Sequence, residues 1–114
     1  MQELTVEQLK EKMESGERFI IDYFAKWCGP CKTIKPFVYE ILKTCPYPCY
    51  CLDADENPEI YGGLKVKKQI RGVPALVAFK AGNVSFIPDY AVCGADPEGI
   101  QYFFKSLSIV QNIK

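Results

Sequence analysis

Histidine does not occur in the 114 residues of this chain, and tryptophan occurs once. The first absence removes the usual general base, the commonest zinc ligand and any Cys-His protease mechanism, leaving carboxylates, lysines and thiols to move protons. Net charge is lacking as well, because 14 Lys plus Arg balance 14 Asp plus Glu. No field of one sign draws the chain to nucleic acid or to an anionic membrane, so neither is expected as a partner. The opening Met1-Gln2-Glu3-Leu4-Thr5-Val6-Glu7 lacks the basic stretch and apolar run of a secretory signal, and no later run is long enough to span a bilayer. The expectation is a cytoplasmic protein that works as a monomer.

What is present fits one packed unit. Hydrophobic residues make up 48% and charged residues 25%, the balance of a globular domain, and the length suits a single domain over 1–114 with one core. Six cysteines stand at 28, 31, 45, 49, 51 and 93. That number also suits a secreted disulfide scaffold, but a chain with an adequate core does not need such staples, and the spacing must decide.

Thr5-Val6-Glu7-Gln8 resembles a capping box, and Val6, Leu9 and Met13 share a helical face before Gly16. Phe19 to Ala25 is a continuous apolar run broken only by Asp22, the pattern of a central strand covered on both faces. From Cys31 to Lys43 a helical pattern turns Ile34, Phe37, Val38, Ile41 and Leu42 inward, with a kink expected at Pro36. Cys49 to Leu52 reads as a short strand, followed by a helical region interrupted at Gly62-Gly63. Ala75–Phe79 and Val84–Ile87, joined through Ala81-Gly82-Asn83, read as a hairpin. Asp96 and Pro97 then open a helix carrying Ile100, Phe103, Phe104 and Leu107 on one side. This order predicts an α/β fold, a central mixed β-sheet flanked by α-helices.

The string Trp27-Cys28-Gly29-Pro30-Cys31-Lys32 falls where the first long strand gives way to a helix. Disulfide exchange needs one thiol that ionises readily and a second within reach to resolve the mixed disulfide. Cys28 at the helix mouth meets unpaired N–H groups and the positive dipole end, whereas Cys31 lies one turn inside, so Cys28 is the expected attacker and Cys31 the resolver. A thiol whose pKa falls from about 8.5 to about 7 gains roughly 15-fold in thiolate at neutral pH and loses roughly 5-fold in nucleophilicity. Proximity matters more, since effective molarities in well-oriented intramolecular reactions reach about 10⁵ M. Gly29 permits close approach of a substrate backbone, and Pro30 fixes φ in the turn. The competing reading is a zinc site completed by Cys49 and Cys51, but those two are separated by one residue rather than two, which argues against a metal.

Asp22 sits where an unpaired carboxylate is costly, so burial should raise its pKa and suit it to take the Cys31 proton. An exposed strand edge, or a structural hydrogen bond, is the alternative for Asp22.

Asp22-Tyr23-Phe24-Ala25-Lys26-Trp27-Cys28-Gly29-Pro30-Cys31-Lys32, with Pro36, Asp55, Asn57-Pro58, Ile70-Arg71-Gly72-Val73-Pro74 and Gly94, resembles the thioredoxin family across nearly the whole chain. The resemblance implies the thioredoxin fold, a redox-active disulfide between Cys28 and Cys31, and Asp22 as the buried acid-base group. It also implies a cis peptide at Val73-Pro74 facing the cysteines, although only about 5% of X-Pro bonds in folded proteins are cis. Trp27, Gly29, Pro30, Gly72, Val73, Pro74, Val92, Cys93 and Gly94 would line the substrate surface, with packing as the alternative for Val92. Disulfide-containing proteins are the implied substrates and thioredoxin reductase the implied partner, with no bound cofactor.

Three departures from the family stand out. Cys51 occupies the strand position where many members carry a lysine that tunes the buried acid, Phe24 replaces a second aromatic that is often tryptophan, and the segment between Pro58 and Ile70 is a few residues long. Cys93 reads either as a small apolar filler or as a third accessible thiol open to oxidation. A disulfide oxidase or isomerase of the same fold, and a redox-inactive binding module, remain as alternative functions.

Overall fold

The computed structural model describes residues 1–112, with side chains through Leu107. Five strands and four helices follow in the order β1 (Gln2–Glu3), α1 (Val6–Glu14), β2 (Phe19–Phe24), α2 (Gly29–Leu42), β3 (Cys49–Asp53), α3 (Pro58–Val66), β4 (Ala75–Phe79), β5 (Tyr90–Cys93) and α4 (Pro97–Asn112). The strands form one mixed sheet in the order β1-β3-β2-β4-β5. β1 and β2 run parallel to β3, whereas β4 is antiparallel to both β2 and β5. No helix among the described residues is long and apolar enough to cross a membrane.

The apolar run at Phe19–Phe24 becomes the middle strand, and its alternation serves two cores. Phe19, Ile21 and Tyr23 point into a layer with Leu9 and Met13 of α1 and Leu64 of α3. Ile20 points the other way, into a layer with Ile34 and Val38 of α2 and Ile100, Phe103, Phe104 and Leu107 of α4. Helices therefore cover both faces, as a strand apolar on both sides requires. The capping box forms at α1: Thr5 Oγ1 accepts the Gln8 N–H at 3.2 Å, and Gln8 Oε1 accepts the Thr5 N–H at 2.9 Å.

Four features differ from the sequence-based expectation. The partner of β4 is Tyr90–Cys93 rather than Val84–Ile87. Side-chain turn chemistry claims the intervening loop, where the Asp89 carboxylate accepts from the Lys80 N–H at 2.7 Å and from Asn83 Nδ2 at 2.9 Å, while Asn83 Oδ1 caps Ser85 N–H. Val84 is left 67% exposed, and of that segment Phe86 packs against the α1/α3 core without strand pairing. α3 runs uninterrupted through Gly62 and Gly63, anchored by buried Leu64. α2 begins at Gly29, two residues before the expected start. The short edge strand β1 carries no apolar alternation and was not visible in the pattern.

Candidate active site

β2 delivers the site. After Phe24 the chain turns, Cys28 N–H bonds back to Ala25 O at 3.1 Å, and Cys28 becomes the N-cap of α2. Its Sγ accepts the Cys31 N–H at 3.1 Å, which places the sulfur on the unpaired donors of the first turn. Pro30 occupies the first turn, where a missing N–H costs nothing. Cys28 and Cys31 are joined by a disulfide with Cα atoms 5.3 Å apart.

The exposure of the two sulfurs runs opposite to expectation. Cys28 is 1% exposed, because its role as N-cap folds Sγ back onto the helix mouth, whereas Cys31 is half-buried and faces a cavity of about 440 Å³. Trp27, Gly29 and Pro30 are exposed around them. The Trp27 indole N–H donates to Asp55 Oδ2 at 2.7 Å, which holds the 72% exposed ring beside the disulfide.

Asp22 lines the same cavity as Cys31, together with Lys35 and Cys51. Burial pushes its carboxyl up to about 7, against an opposing pull from the Lys35 ammonium. The strand neighbour of Asp22 on β3 is Cys51, which puts a thiol beside the carboxyl at that position. Lys35, on α2, is the positive charge that favours the ionised form of Asp22, a role not foreseen from the sequence. Its spacing was a usable signal, since Lys35 follows Cys31 by four residues and a helix puts i and i+4 on one face.

The Val73-Pro74 bond is cis, as the resemblance implied. Pro74 is buried, Gly72 and Val73 are half-buried, and among the described residues the Val73 N–H and C=O have no hydrogen-bond partner. An extended peptide could therefore pair with them. Gly94 has φ of 94°, a conformation that favours glycine, and its N–H donates to Pro74 O at 2.7 Å. Val92 is half-buried and packs against the α2/α4 core. Cys93 is a half-buried free thiol whose Sγ is hydrogen-bonded to the backbone of Arg71 and Gly72, so it is more than a simple filler.

The remaining thiols are poorly suited to exchange. Burial pushes Cys45, Cys49 and Cys51 up, and the Asp22 carboxylate adds to the shift at Cys49 and Cys51. The zinc alternative finds no support, because the cysteine pairs do not gather. Among the described residues the one group of three acidic or thiol ligands within 4.8 Å is Glu3, Asp53 and Glu56.

A disulfide capping a helix, a carboxyl of raised pKa on the cavity that the second sulfur faces, and an unpaired backbone segment nearby define a dithiol-disulfide exchange centre. The thioredoxin family model matches residues 1–105. A thioredoxin from Pseudomonas aeruginosa is 41% identical over 57% of this chain and 58% of its own, so the match spans under two thirds of that protein. Thioredoxin-1 of Saccharomyces cerevisiae is 30% identical over 85% of this chain and 87% of its own. The crystal structure of Fasciola hepatica thioredoxin superposes with a TM-score of 0.72 at 26% identity, covering 93% of this chain and 98% of that one. The chain belongs to the thioredoxin family.

Proposed function

We propose that the chain is a protein-disulfide reductase. The Cys28 thiolate attacks a client disulfide, forming a mixed disulfide and releasing one client thiolate. Cys31 then attacks Cys28 Sγ, releases the second client thiolate and leaves the Cys28-Cys31 disulfide. Two electrons pass to the client, and a thioredoxin reductase returns them. Asp22, whose carboxyl burial pushes up to about 7, accepts the Cys31 proton across the shared cavity.

The observation that carries this reading is the Cys28-Cys31 disulfide at the α2 N-terminus, with Cys31 and Asp22 on one cavity. Reduction of insulin disulfides with dithiothreitol tests the activity: the natural chain accelerates it and Cys28→Ser does not. Equal rates would remove the claim. A reduction potential well above that of the glutathione pool would instead indicate an oxidase.

A further inference from the structure

We infer that Cys93 is a positioning residue for client docking, a thiol staple that sets the backbone approaching the cis proline. Its Sγ accepts the Arg71 N–H at 3.2 Å and donates to the Gly72 carbonyl at 3.2 Å. A thiol has one hydrogen and lone pairs to spare, so one side chain satisfies a donor and an acceptor on adjacent residues. The backbone adds a third tie on the other side of Val73, from Gly94 N–H to Pro74 O.

These ties bracket Val73 from both sides. Arg71 and Gly72 have no ladder of their own, since β4 begins only at Ala75, and Cys93 pairs with Ala75 as the last residue of β5. Without the thiol, the residues before Val73 would be held by chain connectivity and by packing against the α1/α3 core. The Val73 N–H and C=O, the groups open to a client backbone, would then have to be ordered when the client binds. That ordering is a cost of association, so its removal in advance raises affinity and leaves the sulfur chemistry alone. The hydrogen bonds of Cys93 Sγ go to Arg71 and Gly72, and it packs with the α1/α3 core rather than the α2/α4 core behind the disulfide.

The inference rests on the reductase reading, and its test separates the two. The reduced chain is mixed with increasing insulin, and formation of the Cys28-Cys31 disulfide is followed by mass spectrometry after acid quenching. A small aromatic disulfide, which needs no backbone pairing, serves as the second oxidant. In Cys93→Ala the half-saturating insulin concentration rises about 5-fold, as expected for losing bonds with a net value near 1 kcal/mol, while the limiting rate and the small-disulfide rate stay within about twofold. Cys93→Val, which keeps an apolar side chain of similar size but neither bond, repeats the alanine result. Cys93→Ser, able to donate and accept in the same place, restores the natural half-saturation. Unchanged half-saturation in Cys93→Ala overturns the inference, as does a serine variant that behaves like alanine, or an equal loss with both oxidants. A natural chain inert toward insulin but active toward the small disulfide overturns the reductase reading and the inference with it.

Discussion

Replacing Asp22 by asparagine removes a carboxyl held far above its ordinary pKa and should change how stability depends on pH. Its folded-state value is about 7 against an ordinary 3.8. Between those values the folded chain keeps a proton that the unfolded chain releases, so stability falls as pH rises across that window and levels off above it. The difference between those two values corresponds to about 4 kcal/mol. Asparagine occupies nearly the same volume without ionising. The stability difference between Asp22→Asn and the natural chain should therefore grow by as much as about 4 kcal/mol from pH 4 to pH 8, with the variant the more stable at the alkaline end. Denaturant unfolding of the oxidised forms at half-unit pH steps measures this without interference from the Cys28 and Cys31 thiols. Parallel curves for the two proteins would refute a raised carboxyl pKa at this half-buried position.

Three other outcomes follow from the same geometry. Lys35→Ala should move the alkaline limb of the Asp22 titration, followed by carboxyl NMR, to higher pH, because the ammonium that favours the charged form is gone, and Lys35→Arg should hold it in place. An unmoved limb in Lys35→Ala would show that the ammonium does not reach the carboxyl. Asp55→Ala removes the acceptor of the Trp27 indole N–H, so the fluorescence of this single tryptophan should become more solvent-averaged and less anisotropic, with global stability changed by no more than about 1 kcal/mol. Tyr23→Phe should raise stability by about 1 kcal/mol, since the Tyr23 hydroxyl is buried without a hydrogen-bond partner among the described residues, and a loss of stability on thermal unfolding would reveal a partner.

Local signals were readable in the sequence wherever local physics decided the structure. The Thr5 and Gln8 box, the two-faced apolar run of β2 and the Cys28-Gly29-Pro30-Cys31 turn depend on residues a few positions apart, and each lies where it was expected. Asp22 was legible for the same reason: a carboxyl inside an apolar run has few places to go. What escaped depended on residues far apart in the chain. β5 was misplaced because Asp89 reaches back nine residues to Lys80, and the Cys93 bonds span 21 and 22 residues. The shielding of Cys28 was hidden because an N-cap's exposure depends on where its side chain turns, which residue type alone does not reveal.

The central strand divides the interior into two cores, and the consequences reach beyond stability. Thiol exchange leans on the layer beneath α2 and α4, whereas the segment that greets a client leans on the layer beneath α1 and α3. Substitutions far apart with no shared neighbours tend to act independently. A lineage carrying this architecture is thus free to change which proteins it serves by altering one side of the sheet, with its electron chemistry left undisturbed on the other.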